Sequence, residues 1–122
     1  MKINLDGQKL AEVNCDYTIN IGFSGGYGIQ VEWEVILHSE GGEAALKADI
    51  EDAEQNQSRL ARFKGQTVTS ASLKDRDEFL IEFANGWSLR FPYNLEYESW
   101  NLWGPNNLRI VSMPGGELAL WS

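Results

Sequence analysis

The sequence of 122 residues contains a single cysteine and no long apolar run. Cys15 has no second cysteine with which to form an internal disulfide, and one thiol cannot build a cysteine-based zinc cluster. No apolar segment approaches the roughly 18 residues of a membrane-spanning helix. Residues 1–7 also lack the apolar stretch of a signal peptide. We therefore predict a cytoplasmic protein that does not enter a membrane.

Positive charge is scarce. Lysine and arginine number ten against 18 aspartate and glutamate residues, which gives a net charge of -8. The positive residues are dispersed, so no basic stripe faces a phosphate backbone, and nucleic-acid binding is disfavoured. An acidic surface instead attracts a basic protein partner, chiefly by accelerating association.

Histidine is limited to His38, which excludes a histidine pair for metal binding and leaves no relay partner to propose. The acidic residues 49–54 are better interpreted as the first turn of a helix, where carboxylates favour the dipole, than as a metal site. We predict neither a metal nor a cofactor.

One pattern resembles a hydrolase motif. Residues 22–26 read Gly-Phe-Ser-Gly-Gly and match G-x-S-x-G, but a nucleophile elbow requires a helix after the serine. An alternating strand follows Ser24 instead, and the same absence of a helix excludes a phosphate loop. The glycines 22, 25, 26 and 28 are therefore interpreted as turn residues of a hairpin.

The chain nearly repeats itself. Gly7-Gln8-Lys9-Leu10 is echoed by Gly65-Gln66-Thr67-Val68, and Phe23-x-x-Gly26-Tyr27-x-Ile29-x-Val31 by Phe83-x-x-Gly86-Trp87-x-Leu89-x-Phe91. The echo predicts two related three-stranded antiparallel units, at about residues 5–38 and 63–93, within one domain spanning 1–122. The predicted fold is α+β and mainly β, arranged as a sandwich or a partly closed barrel.

Apolar and polar residues alternate over residues 17–23 and 29–37, which indicates half-buried strands. In the second segment Ile29, Val31, Trp33, Val35 and Leu37 are predicted to face the core. Residues 43–63 contain no glycine or proline and are rich in helix formers, which favours a helix over about 51–63 and leaves 43–50 open. Residues 109–112 and 117–121 predict a C-terminal hairpin.

Aromatic residues crowd the second half of the chain. We predict that Trp87 and Trp121 lie in the core, because aromatic side chains carry large apolar areas and favour strands. Tyr97, Trp100 and Trp103 flank turns and alternate with polar residues. Together with Glu98 they are the candidate ligand- or partner-binding residues, since exposed aromatics mark such surfaces.

Three functions follow from these features. The first is a non-enzymatic binding protein with a basic partner, and the second is a small-ligand or carbohydrate binder that uses the aromatic residues. The third is a hydrolase, which would require Glu82, Glu96 or Glu98 to converge in one pocket. Open sheet edges around Leu10–Val13 and at the terminal hairpin also favour a homodimer.

The segments Tyr97-Glu98-Ser99-Trp100-x-x-x-Gly104 and Pro114-Gly115-Gly116-Glu117-Leu118-Ala119-x-Trp121 resemble a family of small uncharacterised bacterial proteins. The shared pattern is Y-E-x-W followed by a closing P-G-G-E-x-x-x-W. Some members resemble proteins encoded near bacterial toxin genes. The resemblance therefore implies an immunity protein that neutralises a toxin, and it supports the predicted fold.

Overall fold

The computed structural model describes residues 3–74 and 78–121, with Trp121 described through its backbone alone. Within these residues the chain forms eleven strands, one α-helix and three 3-10 turns. The strands are β1 (Leu10–Cys15), β2 (Ile19–Phe23), β3 (Gly28–Val31), β4 (Glu34–Ser39), β5 (Gly42–Lys47), β6 (Val68–Lys74), β7 (Glu78–Phe83), β8 (Ser88–Phe91), β9 (Trp100–Trp103), β10 (Arg109–Ser112) and β11 (Leu118–Trp121). The helix α1 spans Ala53–Ala61, and the 3-10 turns span Ser24–Gly26, Ile50–Asp52 and Pro114–Gly116.

The strands build two antiparallel sheets. The first has the order β1-β2-β3-β9-β10-β11, and the second has the order β5-β4-β8-β7-β6. Side chains from both sheets belong to one hydrophobic core. The predicted mainly β, α+β fold is confirmed, with one short helix and a C-terminal hairpin, and the described strands do not close into a barrel. Among the described residues no helix has the length and apolar character needed to cross a membrane.

Each sheet combines strands from both halves of the chain. In the first sheet β3 pairs with β9 and so joins β1–β3 to β9–β11. In the second sheet β8 pairs with β4 and so joins β6–β8 to β4 and β5. The order β1-β2-β3-β9-β10 in the first sheet therefore corresponds, strand by strand, to the order β6-β7-β8-β4-β5 in the second. The β4–β5 hairpin belongs to the first half of the chain but lies in the second sheet. The β9–β10 hairpin belongs to the second half but lies in the first sheet. The sequence echo thus marks two interlocked halves.

The two halves meet where residues 7–10 run antiparallel to residues 65–68, the tetrapeptides that echo one another. Four backbone hydrogen bonds of 2.8–3.1 Å cross this junction, in two pairs that the approximate twofold exchanges. One pair joins Gly7 N–H to the Val68 carbonyl and Gly65 N–H to the Leu10 carbonyl; the other joins Val68 N–H to the Gln8 carbonyl and Leu10 N–H to the Gln66 carbonyl.

Aromatic rings connect the layers of the core. Trp100 in the first sheet and Phe79 in the second are fully buried, with ring centroids 5.5 Å apart. Phe63, which follows α1, packs edge to face against Phe83 and Trp87 at 5.5 and 4.9 Å. Because aromatic side chains bury the largest apolar areas, these contacts hold the helix end and both sheets together. Trp87 is only partly buried and packs against the core, rather than lying in it as predicted. The side chain of Trp121 lies outside the described residues.

The predicted strand at residues 29–37 is in fact two strands. β3 ends at Val31 and β4 begins at Glu34, and they lie in different sheets. Val31 and Val35 are buried as predicted, whereas Trp33 is only half-buried, at the crossing between the sheets. Because Val31 and Val35 are four residues apart, the period of two continues through the bend. The alternating pattern therefore gives no sign that the chain passes from the first sheet to the second.

The segment before the helix also differs from its helix-forming composition. Residues 42–47 form β5, which pairs with β4, and α1 is shorter than the predicted helix over 51–63. The side chain of Asp49 accepts a hydrogen bond of 2.9 Å from the Glu51 N–H and starts the 3-10 turn that leads into the helix. Strand pairing thus overrides local propensity in the first part of this segment.

α1 covers the outer edge of β1 through the side chain of Gln57. Its Nε2 donates to the Val13 carbonyl at 2.8 Å, and its Oε1 accepts from the Cys15 N–H at 2.9 Å. The carboxamide therefore stands where the peptide group of a neighbouring strand would be. At the matching edge of β6 a true backbone group takes this place, since Ile3 N–H donates to the Ala71 carbonyl at 2.9 Å.

The covered edge bears on the predicted homodimer. One of its two candidate edges, around Leu10–Val13, is occupied by Gln57 and by residues 65–66. The other candidate, β11, is the outermost strand of the first sheet. Of the two candidate edges, β11 is therefore the one at which the predicted pairing would occur.

Replacing Gln57 with alanine removes both side-chain bonds and leaves two partly buried backbone groups of β1 without a protein partner. We expect this to lower the free energy of unfolding by about 1–3 kcal/mol. Urea denaturation of Gln57→Ala measures it, with the exposed helix residue Gln55→Ala as a control that should change stability by less than about 0.5 kcal/mol. Equal stability of the two variants would contradict the edge-covering role.

Gly65 offers a test of the junction. Its φ is +85°, matching Gly7 at +85°, and a β-carbon there would meet no atom within 4 Å. The glycine is needed for backbone conformation alone, so Gly65→Ala should cost about 1–2 kcal/mol of unfolding free energy. Gly41→Ala, at a glycine without a positive φ, is the control in the same urea titration. A loss at Gly65 no larger than at Gly41 would argue against this conformational requirement.

Candidate functional site

An aromatic groove lies where the chain crosses between the sheets. It has a volume of about 430 Å³ and is lined by Trp33, Tyr93, Asn94, Leu95, Glu96 and Tyr97. Leu95 is 76% exposed and Tyr97 is 60% exposed, so the groove presents apolar surface directly to solvent. Such a concentration of exposed aromatic and aliphatic side chains is typical of a binding surface.

The loop that carries the groove is held in place by hydrogen bonds. The side-chain oxygen of Asn94 accepts from the N–H groups of Glu96 and Tyr97 at 2.7 and 3.2 Å. The Asn94 carbonyl accepts from the Gly115 N–H in the last 3-10 turn, at 2.8 Å. Because these bonds fix the loop before any partner arrives, its exposed side chains lose less freedom on binding.

Ser99 fixes the far end of this loop. Its hydroxyl donates to the Pro92 carbonyl at 2.8 Å, and it lies 3.2 Å from the Ser112 hydroxyl in a fully buried position. The Ser99 carbonyl accepts from the Glu32 N–H at 2.8 Å. This bond holds the segment between β3 and β4 next to the loop. Trp33 and the residues 93–97 therefore share one groove although they are distant in sequence.

Carboxylates border the aromatic groove. Glu96 lines it, and the exposed residues Glu32 and Glu98 adjoin its lining residues in the chain. Lys47 contributes a positive charge, with its Nζ 5.4 Å from the centroid of the Trp33 ring. The charged residues in the groove and next to its lining residues in the chain are thus mainly carboxylates, in keeping with the net charge of -8.

The structure separates the four predicted binding residues. Tyr97 lines the aromatic groove, and Glu98 is exposed beside it. Trp100 is fully buried beneath Phe79, so its ring cannot contact a ligand at the surface. Trp103 is 43% exposed and faces outward from the first sheet, away from the core side on which Trp100 lies.

Sequence reasoning missed Asn94 and three aromatic or aliphatic residues of the groove: Trp33, Tyr93 and Leu95. Trp33 continues the alternation of residues 29–37, which predicts a core position for its side chain. The available signal for the other two was Pro92 followed by Asn94, since proline cannot join a sheet ladder and asparagine favours a turn. That pair indicates a loop that carries Tyr93 and Leu95 out of the sheet.

The serine motif forms a hairpin turn between two strands, as predicted. The Ser24 hydroxyl donates to Gln8 Oε1 at 2.7 Å and accepts from the Lys9 N–H at 2.8 Å. His38 lies in β4 of the other sheet, so Ser24 has no histidine base on its own hairpin. Ser24 therefore serves the turn and the adjoining junction.

The glycines of this motif have two different roles. Gly25 and Gly26 have φ values of 80° and 86° and form the turn. Gly22 and Gly28 are not turn residues, contrary to their interpretation from sequence: they lie directly opposite one another in β2 and β3. A β-carbon at Gly28 would collide with the indole of Trp103. Close approach of that ring requires glycine at position 28.

The carboxylates proposed for hydrolysis do not share a pocket among the described cavities. Glu82 lies in β7 of the second sheet, whereas Glu96 and Glu98 lie in the loop before β9. Only Glu96 of the three lines the aromatic groove. Within residues 3–74 and 78–121 no group of three or more His, Cys, Asp or Glu side chains is arranged to hold a metal ion.

The chain belongs to the family of unknown function DUF6188, whose model matches residues 1–122. No curated protein and no solved structure matches the chain. The function is therefore argued from the surfaces themselves.

Cys15 provides a test of whether the chain carries a reactive nucleophile. Burial raises the pKa of its thiol to about 11, and the neighbouring Asp16 carboxylate adds to the rise. Because the thiolate is the reactive form, alkylation by iodoacetamide at pH 8 should be about a hundredfold slower in the folded chain than in urea. Rates followed by mass spectrometry check this, with free cysteine in both buffers as the control. Equal rates would show an unperturbed thiol.

Proposed function

We propose that the protein binds a basic protein partner through the aromatic groove, as an immunity protein that neutralises a bacterial toxin. The observation that carries the proposal is the exposure of Leu95 and Tyr97 on a loop that hydrogen bonds already hold in place. Aromatic anchors of this kind supply much of the binding energy in protein interfaces when a partner removes them from water.

The acidic rim supports a partner of opposite charge. Glu96 lines the groove, and the exposed Glu32 and Glu98 adjoin lining residues in the chain, so these carboxylates steer a basic surface toward the groove. The apolar centre and charged border resemble the core and rim of a protein–protein interface. A nucleic acid would be repelled by the same charges.

The test starts with products of genes that flank the coding sequence, because immunity proteins are encoded beside the toxins that they neutralise. A product that stops growth when expressed alone should permit growth when this protein is co-expressed. The purified pair then gives a dissociation constant by calorimetry. If no flanking product is toxic or rescued, the immunity proposal is wrong.

The double variant Leu95→Ala with Tyr97→Ala locates the interface. We expect it to weaken binding at least about tenfold, because truncation of a central anchor costs more than about 1 kcal/mol. Tyr17→Ala, in the turn between β1 and β2 and 72% exposed, is the matched control and should bind as the parent does. Raising the salt concentration should slow association by screening the rim. An unchanged dissociation constant for the double variant would place the interface elsewhere.

A further inference from the structure

The outer face of the first sheet carries a second surface, centred on Trp103. Two rows of side chains cross neighbouring strands there in register. One row runs through Glu12, Gly22, Gly28, Trp103 and Arg109, and the other runs through Asn14, Asn20, Gln30 and Asn101. Since side chains two residues apart share a face, both rows point away from the core.

Side chains of the first row enclose a trough on the surface of the sheet, and the indole of Trp103 forms one side of it. Gly22 and Gly28 keep its floor low, and the indole of Trp103 lies across Gly28 with 43% of the residue exposed. At the other end stands the Glu12 side chain: a β-carbon at Gly22 would lie 3.5 Å from Glu12 Cβ and 3.8 Å from Glu12 Oε2. The resulting cleft of about 220 Å³ is lined by Glu12, Asn14, Asn20, Ile21, Gly22 and Trp103.

The second row supplies neutral hydrogen-bonding groups. Each amide side chain offers both a donor and an acceptor. Asn20 is oriented by bonds from its Nδ2 to the Asn14 carbonyl at 3.1 Å and to Thr18 Oγ1 at 2.9 Å. Asn101 is oriented by Arg109, which donates to its Oδ1 at 3.3 Å. Two of these amides, Asn14 and Asn20, line the cleft, while Gln30 and the buried Asn101 continue the row across β3 and β9.

The second sheet shows that the fold does not require this arrangement. Its twofold-related positions are Glu82, Ser88 and His38 in place of Gly22, Gly28 and Trp103. The position related to Gln30 is Arg90, which pairs with Glu43 at 3.0 Å and with Glu78 at 3.6 Å. The related face is thus closed by side chains and ion pairs, and the trough is particular to the first sheet.

We infer that the trough binds one ring of a neutral oligosaccharide. The electron-rich face of the Trp103 indole attracts the polarised C–H groups of a sugar ring. Its hydroxyl groups need both donors and acceptors: the Glu12 carboxylate and the Asn20 side-chain oxygen accept, and the exposed Asn14 amide does both. The cleft is smaller than the about 300–1,000 Å³ of a site for a drug-sized ligand, which suits one ring with further rings continuing over the open sheet.

The chemistry of the border argues against a charged ligand. The lining amides are neutral, and the Glu12 carboxylate opposes a phosphate or a carboxylate in the trough. Arg109, at the end of the first row, does not line the cleft and donates to Asn101 Oδ1. A cation would meet only this one carboxylate, since the other lining side chains are neutral. A polyhydroxylated neutral ligand uses all of the groups present.

The test is a titration of the ¹⁵N-labelled full chain with three neutral hexasaccharides: β-1,4-linked glucose, α-1,4-linked glucose and β-1,4-linked N-acetylglucosamine. At least one should shift the indole N–H signal of Trp103, assigned by comparison with Trp103→Phe, with a dissociation constant of about 1 mM or lower. Absence of a saturable shift with all three probes at up to about 10 mM would overturn the inference.

Two variants test the trough in different ways. Trp103→Ala removes the stacking face, and Gly22→Val fills the floor of a strand that readily accepts a branched residue. Both should weaken binding at least about tenfold while circular dichroism shows a retained fold. His38→Ala, at the position related to Trp103, and Tyr97→Ala, in the aromatic groove, should bind as the parent does. Undiminished binding by Gly22→Val, or a loss with Tyr97→Ala, would refute a site in the trough and leaves the proposed partner interface unaffected.

Discussion

The reciprocal hydrogen bonding of residues 7–10 with residues 65–68 is the constraint on which the rest of the structure depends. It ties the start of β1 to the start of β6, so the two sheets diverge from one point. Each sheet then takes three strands from one half, and the other half adds β9–β11 to the first sheet and β4 and β5 to the second. Because the halves interlock, neither can complete its own sheet alone, and formation of the junction requires both copies of the sequence echo.

The approximate twofold sets the backbone and leaves the chemistry of the two halves free to differ. The edge of β6 is covered by a backbone group of Ile3, while the related edge of β1 is covered by the carboxamide of Gln57. A single side chain can replace a peptide group here because an amide presents the same donor and acceptor. Through Gln57, the helix between the two halves thereby satisfies backbone groups of β1 that a neighbouring strand would otherwise satisfy.

One buried polar group in the core reduces the stability of the fold. The indole N–H of Trp100 is fully buried and has no hydrogen-bond partner among the described residues. An unmet donor of this kind costs about 1–3 kcal/mol. The cost is offset by burial of the whole ring, which contacts Phe79 across the sheets. Trp100 therefore serves the core, and the surface aromatics Tyr97 and Trp103 belong to separate faces that can act independently.

The sequence by itself determined the two related halves, the alternating strands, the C-terminal hairpin and the net negative charge, because these depend on local pattern and composition. Tertiary structure decided where the chain changes sheet, since Val31 and Val35 continue one alternation across the bend at Trp33. It also decided that 42–47 is a strand, because pairing with β4 outweighs helix propensity. The sites were the least predictable part of the structure. Trp33 shares a groove with Tyr97, and Trp103 lies opposite Gly28, only because backbone hydrogen bonds connect segments that are far apart in the chain.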